Sequence, residues 1–317
     1  MAESQSPSPA PAPTGPQYTI ESDGYQAVLT GVGAGLRSLT HRGRRLVLDY
    51  PEDRSPVGGA GQLLVPWPNR IRDGRYAFDG QQRQLDLSEP ANHNAIHGLT
   101  RTQSWNAERV GDREVRFGYR LYPQHGYPHV LDLSVTYALG GHGLSVEVHA
   151  RNAGSSAAPY GLGWHPYLTL GNEPVDGALL QVPASEWIRV DERMNPVGKP
   201  PTMSEPVDGT DYDFREARRI GSVQLDTAFT GLRREADGLL HVTLTDAAGD
   251  RGVRLWAGEG IDWLQLFTGD TLPQSHRRAG VAVEPMSCPP NAFADGVGVI
   301  RLAPGETAAH RWGIAAI

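Results

Sequence analysis

The chain is short of several things, and each shortage excludes something. It has one cysteine in 317 residues, Cys288, so no disulfide can form within it, and a reducing, cytoplasmic setting is expected. The stretch up to Pro16 has no basic residue and no apolar block, and the first Lys or Arg is Arg37. Neither a secretory leader nor a membrane span is expected there, and residues 1–16 read as a disordered Pro/Ser/Ala tail. Positive charge is also in deficit, with 29 Lys and Arg against 36 Asp and Glu, a formal −7. That balance argues against nucleic acid or an anionic membrane as partner, since nothing would neutralise phosphates in bulk. The one basic run, Arg42-Gly43-Arg44-Arg45, reads as a solvated turn. No phosphate loop, GxGxxG before a helix, GxSxG elbow or Cys/His metal cluster occurs, so nucleotide-dependent and serine-hydrolase readings lack support.

What is present is alternation. Leu131, Leu133, Val135, Tyr137 and Leu139 interleave with Asp132, Ser134 and Thr136. Gly140-Gly141-His142-Gly143 then supplies a turn, and Leu144, Val146, Val148 and Ala150 resume the pattern. This predicts a long hairpin with one buried face. Leu240 to Leu244, Val253 to Ala257, Leu264 with Leu266, and Thr307 to Ile314 repeat the period. With 38 glycines and 25 prolines as punctuation, long helices are excluded, and only residues 214–220 and 273–279 are candidates for a helical turn or two. The expected fold is all-β: one large antiparallel β-sandwich over residues 17–317.

Polar residues stand out against this apolar period in five segments, PWPNRIRDG, NAIHGLTR, GLGWHPY, LDTAFTG and AVEPMSCPPNAF, which present Asn69 and Arg70, His97, His165, Asp226 and Glu284. None has helical spacing, so they read as strand ends and loops converging on a pocket. A carboxylate and a histidine can exchange protons, and Arg, Asn and Asp can hold hydroxyls. Each has a plainer alternative. His97 and His165 suit hydrogen-bonded core histidines. Glu284, on the apolar run 281–283 that Pro285 is expected to end, suits a buried salt bridge. Asp226 suits a turn, and Asn69 and Arg70 a surface loop. His93 and His97, four apart, lack the helix and the glutamate of a zinc motif, so no metal is expected. Cys288 reads as structural, and Trp67, Trp164 and Trp263 as core.

Taken together and in order, Pro68-Asn69-Arg70-Ile71-Arg72-Asp73-Gly74, Asn94-Ala95-Ile96-His97-Gly98-Leu99, His165-Pro166-Tyr167, Leu225-Asp226-Thr227-Ala228-Phe229 and Glu284-Pro285 resemble the aldose 1-epimerase (galactose mutarotase) family. The resemblance spans about residues 25 to 317, and Leu99, Thr100 and Trp164 look like those of a bacterial subgroup. It implies a galactose-mutarotase-like supersandwich and cofactor-independent interconversion of α and β anomers of an aldohexose such as glucose or galactose. By the same resemblance Glu284 matches the general base at the anomeric hydroxyl and His165 the general acid at the ring oxygen. His97 matches a second histidine near that oxygen, Arg70 and Asp226 match hydroxyl-holding residues, and Asn69 lies beside them. The implied partner is a small aldose, with no metal or nucleotide, and the chain a monomer or homodimer. An ionised Glu284 facing a protonated His165 is the expected resting state. Three other readings stand beside this one: a sugar-binding protein without turnover, a hexose 6-phosphate mutarotase using Arg70, Arg72 and Arg75, and a glycosidase pairing Asp226 with Glu284.

Overall fold

Alternating burial becomes sheet. A computed structural model describes residues 11–198 and 202–317. In it Leu131–Gly140 runs antiparallel to Gly143–Asn152, with Gly140 opposite Gly143, and every second residue from Leu131 to Leu139 is buried. The hairpin lies within a nine-stranded sheet whose order is Asn106–Gly111, Glu114–Leu121, Leu131–Gly140, Gly143–Asn152, Thr307–Ala316, Gly252–Ala257, Leu240–Thr245, Leu179–Gln181 and Arg218–Arg219. Each pair whose register is defined is antiparallel.

A second sheet of eight strands carries Ser204–Pro206, Ala184–Ile188, Asp226–Leu232, Trp263–Phe267, Val281–Met286, Gly163–Trp164 and Leu63–Leu64 in that order, with Tyr167–Leu168 also pairing onto Val281–Met286. The indoles of Trp164 and Trp312, one from each large sheet, lie 5.9 Å apart in the layer between them. That layer belongs to one hydrophobic core that draws on both sheets and on the four-stranded N-terminal sheet of Gln17–Ser22, Tyr25–Thr30, Leu36–His41 and Arg44–Arg45. Each large apolar side chain fully removed from water there contributes about 1.5–3 kcal/mol, which gives the scaffold the rigidity a polar cavity needs. The all-β, antiparallel expectation holds.

Three local expectations do not. Of the two candidates for a helical turn, 214–220 holds a short strand instead, Arg218–Arg219, whereas 273–279 does make one such turn, with Arg277 N–H donating to the Pro273 carbonyl, without extending into a helix. The one α-helix among the described residues is a single turn, Ala292–Asp295, too short to carry a periodic signal. Pro285 does not end its strand: Val281–Met286 continues past it, with Leu264 opposite Pro285 and Met286 bridging Trp263 and Gly163. A proline lacks one donor, and that is tolerated when its neighbours keep the ladder. Of the expected tail, residues 1–10 lie outside the described residues, whereas Thr14 is buried and its carbonyl accepts from the Val32 N–H, so residues 14–16 belong to the packed chain. No helix among the described residues is long and apolar enough to cross a membrane.

Candidate active site

Glu284 stands mid-strand in Val281–Met286, a central strand of the eight-stranded sheet, with Gln265 directly opposite. On its other flank the neighbouring strand is broken between Trp164 and Tyr167, and the break is His165-Pro166. The break is pinned on both sides: His165 N–H donates to the Gln62 carbonyl, Gly61 N–H to the His165 carbonyl, and Val283 N–H to the Pro166 carbonyl. This throws the imidazole beside the carboxyl group, Nε2 to Oε1 at 3.3 Å. Glu284 is 2% and His165 5% exposed. The His165 ring stacks on Tyr167 at 5.1 Å and meets His97 edge-on at 5.4 Å.

His97 and Asn69 close a second wall. Both hold left-handed backbone, with φ of 61° and 52°, and His97 N–H donates to the Asn69 carbonyl. Two non-glycine residues in that region bend the two chains where they leave the Arg70/Ile96 end of the small antiparallel pairing between Arg70–Arg72 and Asn94–Ile96, a strain typical of functional segments. Gly98 follows with φ 69° under the Val65 carbonyl, where a Cβ would come within 2.1 Å of the oxygen, so only glycine fits. The Asn69 side chain turns to the backbone, its Oδ1 accepting from Arg70 N–H at 2.8 Å. Arg70 donates Nε and Nη2 to the two oxygens of Glu89 at 2.9 Å each.

Asp226 opens the strand Asp226–Leu232, and its Oδ1 accepts from Gln265 Nε2 at 2.6 Å. All six residues singled out in the sequence, Asn69, Arg70, His97, His165, Asp226 and Glu284, line one cavity of about 450 Å³. That volume lies within the range of small-ligand sites. Four polar atoms of its lining are buried with no partner: His97 Nδ1, His165 Nδ1, Gln265 Oε1 and Glu284 Oε2. Buried polar atoms in a folded protein are almost always paired, so four around one cavity suit it to hold water or a polar ligand.

Sequence reasoning missed Glu89, Gln265 and Arg101 on this wall. Gln265 had a signal, a polar residue between Leu264 and Leu266 in a buried strand; Glu89 and Arg101 had none. Arg101 reaches Gln62 Oε1 at 3.5 Å and pairs with no carboxylate among the described residues. The three arginines weighed as a phosphate cluster diverge: Arg70 is tied to Glu89, Arg72 to Asp191, and Arg75 is exposed beside Gln84. His93 also leaves the site, bonding Asp73 at the surface, and no group of three metal-ligating side chains occurs among the described residues. Cys288, Trp67 and Trp164 are buried packing residues, and Trp263 is half-buried against Met286 and its neighbours.

Burial governs the charges. It pushes His165 down from the usual 6.5 to about 3, helped by Arg101 and Arg70, and drives His97 well below the usual value. Glu284 is pushed well above the ordinary carboxylate range, first by burial and then by Asp226. Asp226 is raised by burial too, against the pull of Arg70. Both shifts run toward the uncharged forms, a protonated Glu284 carboxyl and a neutral His165 imidazole. These shifts oppose the ion pair expected from sequence, because desolvation of two charges works against their attraction across 3.3 Å. An acid and a base still face each other across 3.3 Å in a buried polar cavity.

Known proteins are similar to this chain over most of its length. The sequence model of aldose 1-epimerase matches residues 16–315. The uncharacterised protein YihR of Escherichia coli (strain K12) is 38% identical over 294 residues, 92% of this chain and 91% of that one. Galactose mutarotase of Homo sapiens is 25% identical over 292 residues, 85% and 82% of the two chains. The crystal structure of the GalM/aldose epimerase homologue from C. elegans superposes with a TM-score of 0.83 at 20% identity, covering 95% of this chain and 98% of that one. The chain belongs to the aldose 1-epimerase family.

Proposed function

We propose that this protein interconverts the α and β anomers of an aldohexose such as glucose or galactose, with residues 17–317 working as one unit around the cavity. The observation that carries the proposal is the buried 3.3 Å contact between His165 and Glu284, on a wall with four unpaired polar atoms. Mutarotation needs one proton taken from O1 and one delivered to O5. Glu284 takes the O1 proton as the C1–O5 bond breaks and C1=O1 forms, and His165 protonates O5. Rotation about C1–C2 then presents the other face of the aldehyde, and closure returns both protons.

The direction of the two shifts fits this cycle. Ring opening starts from ionised Glu284 and protonated His165 and ends with protonated Glu284 and neutral His165. The burial that favours the second state thus drives the pair in the direction of ring opening. The sugar, donating O1–H to the carboxylate and accepting at O5, supplies the solvation that the ionic form lacks. Neutral His97, beside His165, fits a contact near the ring oxygen. Asp226 and the Nη1 of Arg70, which Glu89 leaves unengaged, fit sugar hydroxyls, with Asn69 setting the backbone of Arg70. Polarimetry on fresh α-D-glucose and α-D-galactose tests the proposal: wild type accelerates the decay to equilibrium, and Glu284→Gln does not.

A further inference from the structure

Arg70 carries a charge inside the cavity beside two carboxyl groups that have no paired Lys or Arg among the described residues. Asp226 has only the neutral amide of Gln265, and Glu284 only the imidazole of His165. Arg70 nevertheless pairs with neither. Its Nε and Nη2 turn away and bind Glu89 through both oxygens, in a planar fork that an arginine makes well. Glu89 is itself fixed, accepting from Asn92 Nδ2 at 3.0 Å and from Asn94 Nδ2 at 3.1 Å.

The fixing continues outward. Asn94 is fully buried, its Oδ1 accepts from Asn195 Nδ2 at 3.0 Å, and its Nδ2 also donates to the Arg193 carbonyl. Arg193 reaches back to the Asn92 and His93 carbonyls and to Asp73, and Arg72 holds Asp191. Residues 191–195 thus brace the segment that presents Glu89.

We propose that Glu89, fixed by Asn92 and Asn94, is a positioning residue that holds the Arg70 guanidinium on the cavity wall and off the carboxyl groups of Asp226 and Glu284. The inference rests on the proposed function. Besides Glu89, the carboxyl groups whose fields reach the guanidinium are those of Asp226 and Glu284, and they draw it once Glu89 is lost. A collapsed Arg70 would neutralise the proton acceptor and vacate its place on the sugar. The other charged or titratable groups at Glu284 are His165, Asp226, Arg70, Tyr167 and, further along the wall, Arg101 and His97. Of these only Arg70 is freed by losing Glu89.

The test uses the full chain with Glu89→Gln and Asn92→Ala. The first readout is the carboxyl ¹³C titration of Glu284 without sugar, its signal identified by Glu284→Gln. The second is kcat and KM for mutarotation. In Glu89→Gln the Glu284 titration falls by about one pH unit or more as Arg70 approaches, and kcat/KM falls roughly 10- to 100-fold from the misplaced guanidinium. Asn92→Ala keeps the carboxylate, loosens it, and shifts both readouts the same way by less. A Glu284 titration unchanged in folded Glu89→Gln overturns the proposal. If Glu89→Gln does not fold, an unchanged titration in Asn92→Ala does so. A wild type without mutarotation defeats the proposed function, while the titration still decides where Glu89 holds Arg70.

Discussion

The pH dependence of kcat/KM follows from the shared proton of His165 and Glu284. With ordinary values, near 4.3 for a glutamic acid and 6.5 for a histidine, the pair would carry one proton only between those limits. The profile would be a narrow bell centred a little above pH 5. Burial widens the window at its acid end. A second proton enters only when His165 titrates, at about 3, so the acid limb lies below the ordinary carboxylate range. Moving a histidine from 6.5 to about 3 weakens its proton affinity by roughly three orders of magnitude, which the drop in kcat/KM below pH 4 reads directly. The alkaline limb is set by loss of the proton from Glu284, which burial and Asp226 hold well above its usual value. Within the window both tautomers of the one-proton pair keep a fixed ratio, so activity is flat. The assay is polarimetric kcat/KM from pH 3 to 9 with the buffer-catalysed rate subtracted, alongside circular dichroism to confirm folding at each end. Limbs at the ordinary values, near 4.3 and 6.5, in a folded protein would refute the argument that burial sets the pair.

Two further outcomes follow from the same wall. Arg101→Met removes an unpaired, mostly buried cation that helps hold His165 down, so the acid limb moves to higher pH; an unmoved limb places Arg101 out of electrostatic reach of His165. Gly98→Ala sets a Cβ within 2.1 Å of the Val65 carbonyl at a φ of 69°. It lowers stability by more than about 1 kcal/mol in urea unfolding, beyond the strain of a left-handed alanine alone. A neutral effect would show that the turn after His97 yields.

The period-two pattern carried most of the fold because one face of each long strand meets the core, as in Leu131–Gly140. It failed where elements are too short for any period, as in the single helical turn Ala292–Asp295, and where neighbours rescue an unfavourable residue, as around Pro285. The six cavity residues were legible because polar side chains in Gly/Pro-rich or apolar settings need a reason to be there. Their convergence on one pocket was expected from those settings at strand ends and loops, and the family resemblance added a role for each. Glu89 and Arg101 were not legible, because a lone charge in a polar segment looks the same whether it faces water or a cavity wall. The protonation of the pair was misjudged for a related reason: sequence gives the partner of Glu284 but not the depth at which both are buried.

The most direct measurement of the central claim is the approach of fresh α-D-glucose and α-D-galactose to anomeric equilibrium, followed by polarimetry with wild type, Glu284→Gln and His165→Asn. The account predicts acceleration by wild type on at least one of the two sugars and a loss of roughly 10²- to 10⁴-fold in kcat for each folded variant. Acceleration that survives both substitutions would contradict it, as would a folded wild type that leaves both sugars at the uncatalysed rate.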